Sequence, residues 1–166
     1  MRAIIKLLTA ASLGLVMLTA CDQQSRGAPG PSYDLTPDSN ARFLADYAAR
    51  KDVVKLPDGL MYRVLKAGTG PSPISGQDVV TVLYKGSLIN GKVFDQTKSA
   101  DEPAVFPAGN LIPGWVEALM KMKTGDRWEL VVPAELGYGA DGAGDAIPPN
   151  QTLVFELSLL KVEYAP

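Results

Sequence analysis

Six short segments of this chain hold the residue types that could do chemistry. They are Val82-Leu83-Tyr84-Lys85-Gly86, Gly91-Lys92-Val93-Phe94-Asp95, Leu111-Ile112-Pro113-Gly114-Trp115, Gly137-Tyr138-Gly139, Ile147-Pro148-Pro149 and Leu153-Val154-Phe155. Tyr84, Phe94, Trp115, Tyr138 and Phe155 supply aromatic rings, and Asp95 is the one carboxylate among them. The chain has no histidine, which removes Ser-His-Asp and Cys-His hydrolase chemistry and the usual histidine-bearing catalytic zinc sites. Its single cysteine, Cys21, excludes an intrachain disulfide framework and a multi-cysteine zinc site. No cofactor and no metal are expected. What remains is an apolar pocket with one carboxylate and one tyrosine hydroxyl. Such a pocket suits a reaction driven by desolvation and shape rather than by proton transfer.

The elements that must position these residues read as strands around one helix. Leu60 to Leu65 alternates like a half-buried strand after the turn Pro57-Asp58-Gly59. Asp78 to Leu88 is rich in Val, Leu and Tyr, with Val80, Val82 and Tyr84 on one face. Asn90-Gly91 is the preferred dipeptide of a two-residue type I′ hairpin turn, after which Lys92 to Phe94 returns. Pro113 and Gly114 open a helix that places Trp115, Ala118, Leu119 and Met122 near one face and stops at Thr124-Gly125. Arg127 to Val132 is a strand, Pro133 to Pro149 a long Gly/Ala/Pro loop, and Thr152 to Val162 the last strand. The fold class is α+β, an antiparallel sheet with a single short helix.

From about Leu56 to Glu163 the ordered set of segments resembles the FKBP-type peptidyl-prolyl cis/trans isomerases. The Leu56-Pro57-Asp58-Gly59-Leu60 opening is most similar to the secreted bacterial branch, the relatives of the macrophage infectivity potentiator. The resemblance implies a curved antiparallel sheet wrapped around the short helix, with the ligand pocket between them. It implies that Tyr84, Phe94, Trp115 and Phe155 line that pocket, with Trp115 as its floor and Phe106 and Ile147 completing the walls. Leu111 and Ile112 would form a rim, the Ile112 N–H holding a substrate carbonyl. Tyr138 would offer a hydroxyl, and Asp95 would orient polar groups.

The implied reaction fits these residue types. A peptide bond resists rotation by ~18–20 kcal/mol because of its partial double bond. X-Pro bonds populate both isomers but exchange over tens to hundreds of seconds. Rotation breaks no covalent bond. The twisted amide has lost charge separation, so a low-dielectric pocket disfavours the planar ground state more than the twisted one. Against the family pattern, Ala104 stands where a second pocket aromatic is common and Ala100 where an arginine partners the carboxylate. Ala143 and Ala146 occupy the second large loop where bulkier residues are usual. These departures open the wall beside Ala104 and bear on macrolide inhibitor binding. The leading reading is an isomerase assisting the folding of exported proteins. The alternative is a lipid-anchored, chaperone-like binding module for proline-containing or unfolded segments.

The 166 residues divide into four stretches. Residues 1–20 read as a lipoprotein signal peptide, with basic Arg2 and Lys6 before an apolar run, Leu7 to Leu18, too short to be a permanent span. Leu18-Thr19-Ala20-Cys21 resembles a bacterial lipobox, making Cys21 the site of lipid attachment; the other reading is an ordinary secretory signal. The expected location is the cell envelope, lipid-anchored and facing the periplasm, and Asp22 hints at the inner membrane. Residues 21–35, rich in Ser, Gly and Pro, form a flexible tether. Residues 36–55 carry a short helix started by Thr36-Pro37-Asp38, with Phe43, Leu44, Tyr47 and Ala48 at helical spacing. This helix is either a remnant of a dimerisation arm or a piece packed on the domain; a monomer is expected. Residues 56–166 are the isomerase domain. With 16 basic against 18 acidic residues and no basic stripe, no nucleic-acid partner is expected.

Overall fold

Alternating apolar and polar residues build a sheet with two different faces, each covered by one helix. The computed structural model describes residues 32–166, which make up one compact unit. The signal segment, Cys21 and most of the tether lie outside the described residues. The element order is α1 (Pro37–Ala48), β1 (Val54–Lys55), β2 (Met61–Lys66), β3 (Val79–Leu88), β4 (Val93–Gln96), β5 (Ala104–Pro107), α2 (Pro113–Lys121), β6 (Arg127–Val132) and β7 (Leu153–Glu163). A single 3-10 turn, Ala134–Leu136, follows β6. Among the described residues no helix is long and apolar enough to cross a membrane.

All strand pairs are antiparallel, in the spatial order β1-β2-β6-β7-β3-β4. One edge of β3 serves two partners in turn: Val79–Val82 pair with β5, and Lys85–Ser87 with β4. The last strand, β7, lies in the middle of the sheet. It pairs with β6 from Arg127↔Ser158 to Val132↔Leu153, and with β3 from Val79↔Glu163 to Leu88↔Leu153.

The concave face carries the main core. Val80, Val82, Leu130, Val132, Leu153, Phe155, Leu157 and Leu159 pack against Trp115, Ala118, Leu119 and Met122 of the α2 region. The positions 115, 118, 119 and 122 recur at helical spacing, so one stripe of α2 is buried. Gly114 lets this helix sit close: a Cβ there would lie 2.7 Å from Val132 Cγ1.

The convex face is covered by α1. Thr36 caps it, its hydroxyl accepting from the Ser39 N–H at 3.3 Å, and Pro37 occupies the first turn. Phe43 and Tyr47, one turn apart, are buried against Met61, Ile89 and Val131. Polar contacts hold the helix in register. The Tyr47 hydroxyl donates to Glu129 Oε1 at 2.9 Å, and Arg63 pairs with the same oxygen at 3.1 Å. The Asn40 amide donates to Gln151 Oε1 at 3.2 Å, and Asn40 Oδ1 accepts from the Thr152 N–H at 2.8 Å. The helix thus packs on its own domain.

Two local expectations change. The Asn90-Gly91 turn is not type I′: Asn150 is the one described non-glycine with positive φ, while Gly91 has φ +84°. The Gly91 N–H donates to Leu88 O at 2.9 Å and the Leu88 N–H to Lys92 O at 2.9 Å. Asn90 Oδ1 also accepts from the Lys92 N–H at 3.0 Å. This is the longer hairpin connection with glycine in the left-handed position. The second change is two short strands the sequence pattern did not mark, β1 at the end of the 36–55 stretch and β5.

Candidate functional site

Six elements and loops converge on one cleft at the open end of the concave face. Its volume is about 490 Å³, and Tyr84, Phe94, Asp95, Phe106, Asn110, Leu111, Ile112, Trp115, Tyr138 and Phe155 line it. Tyr84 comes from β3, Phe94 and Asp95 from β4, Phe106 from β5, and Phe155 from β7. Leu111 and Ile112 lead into α2, and Trp115 lies in its first turn. Tyr138 stands on the loop after β6, 41% exposed. That loop is held by the Gly139 N–H donating to Ala134 O at 2.8 Å and the Asn150 N–H to Gly139 O at 2.8 Å.

The floor is a set of edge-to-face rings. Trp115 meets Tyr84 with centroids 5.2 Å apart at 82°, and Phe155 at 5.2 Å and 81°. Phe94 meets Phe155 at 5.6 Å and 88°. This is the arrangement that ring quadrupoles favour. Trp115 is 4% exposed, and its indole N–H has no hydrogen-bond partner among the described residues. Gly86 makes room for the rings: a Cβ there would lie 2.6 Å from Phe94 Cζ and 2.8 Å from Phe155 Cε1.

One polar contact stands inside this apolar frame. The Tyr84 hydroxyl donates to Asp95 Oδ2 at 2.6 Å. Burial first, then the hydrogen bond and the charge of Asp95, push the Tyr84 hydroxyl above its ordinary pKa, so it stays a donor. Asp95 is in no ion pair among the described residues and no cation lines the cleft. The carboxylate's partner is thus a tyrosine. The Ile112 N–H, at the N-terminus of α2, has no acceptor among the described residues. Among the described residues no group of three or more His, Cys, Asp or Glu side chains is placed to hold a metal ion.

Nine of the ten residues anticipated for the pocket line this cleft together. Ile147 does not. It is buried in the main core, and its bridge with Ala143 closes the long loop on itself. Asn110 was not anticipated; a polar residue between Gly109 and Leu111 carries no periodic signal. Ala104 shares the Phe106 face of β5 and packs against the core, but does not line the cleft. Ala100 borders a different depression, away from Asp95.

The family described as FKBP-type peptidyl-prolyl cis-trans isomerase matches residues 70–160. The outer membrane protein MIP of Legionella longbeachae is 46% identical over 123 residues, 74% of this chain and 52% of that protein. The FKBP-type 22 kDa peptidyl-prolyl cis-trans isomerase of Escherichia coli K12 is 46% identical over 121 residues, 73% of this chain and 58% of that protein. The chain therefore spans about half the length of the curated relatives it matches. A crystal structure of a peptidyl-prolyl cis-trans isomerase from Pseudomonas syringae pv. tomato superposes with TM-score 0.70 at 41% identity, covering 76% of this chain and 92% of that one. FkpA from Escherichia coli superposes with TM-score 0.73 at 43% identity, covering 78% and 60%.

Proposed function

Because this chain belongs to the FKBP-type peptidyl-prolyl cis-trans isomerase family, we propose that its aromatic cleft catalyses cis/trans isomerisation of X-Pro bonds in polypeptides. The observation that carries this reading is the Tyr84–Asp95 pair, set in a cleft whose other walls are mostly apolar. The proline ring packs on Trp115 between Tyr84, Phe94 and Phe155. There its amide leaves water, and the planar, charge-separated form loses more solvation than the twisted form. The unpartnered Ile112 N–H donates to a substrate carbonyl and keeps the bond over the ring floor. The Tyr138 hydroxyl adds a second donor from the outer loop. Asp95, oriented by Tyr84, interacts with substrate or pocket polar groups. No proton moves.

The test is a coupled isomerisation assay on Ala-X-Pro-Phe peptides, with X varied, using the chain from Asp22 onward. Asp95→Ala and Tyr138→Phe should each lower kcat/KM roughly ten- to a hundred-fold, the value of a contact of about 1–3 kcal/mol. Trp115→Ala and Phe94→Ala should lower it further, with unfolding followed in parallel. A folded wild-type chain that binds unfolded proteins but leaves the isomerisation rate at its uncatalysed value would make this a chaperone-like binding module instead. A macrolide inhibitor competing in the same assay would occupy the same cleft.

We place the protein in a bacterial cell envelope, lipid-anchored through Cys21, facing the periplasm and acting as a monomer on exported proteins. The Leu18 to Cys21 box and the name of the Legionella relative support the envelope reading. Cys21→Ala should abolish palmitate labelling; a variant that keeps its label would remove the assignment. Light scattering at micromolar concentration giving twice the chain mass would overturn the monomer.

A further inference from the structure

The cleft has a neighbour across β4. A second depression, about 340 Å³, is bordered by Lys85, Gln96, Ser99, Arg127, Glu156 and Ser158, with Tyr84 at the margin of both. β4 separates the two, giving Phe94 and Asp95 to the first and Gln96 to the second. It is also the terminal strand of the sheet, with β3 on one side and no strand on the other among the described residues. Asp95 stands opposite Gly86, and the Thr97 N–H donates to Tyr84 O at 3.0 Å. Ladder alternation therefore turns the N–H and C=O of the intervening Gln96 away from β3, toward the free edge. An unpaired strand edge is a template for another extended chain.

The charges of the second depression differ from those of the first. Arg127 is occupied by Glu156, donating to Oε1 from Nε at 3.1 Å and from the terminal nitrogen at 2.5 Å. Lys85 has no ion-pair partner among the described residues. The depression thus keeps one uncompensated cation, next to polar Gln96, Ser99 and Ser158.

We propose that the segment flanking the X-Pro bond of a polypeptide substrate lies along the free edge of β4 as an added strand and delivers an acidic side chain to Lys85 in the second depression. This rests on the isomerase reading of the cleft and extends it from one bond to a stretch of chain. The four residues of β4 correspond to roughly 13 Å of extended chain. The acidic residue is therefore about three or four positions from the proline, beyond the reach of a tetrapeptide. Main-chain pairing supplies affinity that is tolerant of sequence, and Lys85 supplies a preference.

The experiment compares kcat/KM for a tetrapeptide and two decapeptides sharing one X-Pro centre, at low ionic strength. The decapeptides carry glutamate or lysine three or four residues from the proline. The glutamate decapeptide should exceed the tetrapeptide by tenfold or more, chiefly through KM. Lys85→Glu should collapse that ratio and transfer the advantage to the lysine decapeptide. N-methylating the flanking amides that face β4 should also remove it. Equal values for short and long peptides, or a ratio indifferent to Lys85→Glu, would overturn the proposal. If no peptide is turned over, it is the isomerase reading that falls. The length and charge comparison is then read from peptide Kd by tryptophan fluorescence, with the same ratios expected.

Discussion

Tyr84 and Asp95 meet at 2.6 Å, a polar contact inside the aromatic frame of the cleft. The carboxylate sits beside aromatic walls with one oxygen occupied by a hydroxyl proton. Because burial and Asp95 raise the Tyr84 pKa above its unfolded value of about 10, folding favours the protonated phenol. The stabilisation is complete below pH about 10 and is lost as pH rises through the higher folded value. The rate should therefore be level across the neutral range and fall only in alkali. Tyr84→Phe should cost about tenfold in kcat/KM and blunt the alkaline fall. A pH–rate profile of the folded protein checks this, and a bell centred near neutrality would contradict catalysis without proton transfer. At this scale the site was legible where side chains are large and ordered along the chain, as with Tyr84, Phe94, Trp115 and Phe155. It was not legible where the role is a distance. Gly86 matters through the 2.6 Å its missing Cβ leaves to Phe94, and no periodicity encodes that. Ile147 lies in a Pro-rich loop whose path the pattern leaves open, and that path carries its side chain into the core.

At the scale of elements, α1 is the feature with the clearest energetic consequence. Its buried Phe43 and Tyr47 close the convex face, while the cleft opens on the concave one. Phe43→Ala should cost about 3 kcal/mol of stability, the range for a buried phenylalanine, read by urea unfolding. The rate per folded molecule should stay within about twofold. Tyr47→Phe removes the donor to Glu129 and should cost about 1 kcal/mol. The Tyr47 pKa is also raised, by burial first and then by Glu129, so this variant should lose less stability than the wild type above pH 10. The start of α1 was readable from Thr36-Pro37-Asp38, because capping and proline placement are local chemistry. Its partner surface was not, because Met61, Ile89 and Val131 come from three distant places. β5 escaped notice for a related reason. Pro103 and Pro107 bracket it, and proline argues against a strand. Pro107 is tolerated because β5 has no second strand to satisfy among the described residues, where a missing N–H costs little.

For the whole molecule, the decisive feature is that the C-terminal strand is central. Without β7, the β1-β2-β6 group and the β3-β4-β5 group share no hydrogen-bonded strand pair. The core also loses Leu153, Phe155, Leu157 and Leu159. A chain ending at residue 152 should show no cooperative thermal transition. A separate peptide of residues 153–166 should restore one on mixing; a cooperative transition without it would show that the two groups assemble unaided. The order of synthesis and the order in space are thus opposed. The strand that joins the two groups follows all the others in chain order, so the sheet cannot close before β7 is free of the ribosome. That makes the timing of folding a property of topology. The two groups of earlier strands therefore stay unjoined until the chain is free to about Glu163, and a pause in synthesis does not trap a sheet closed too early.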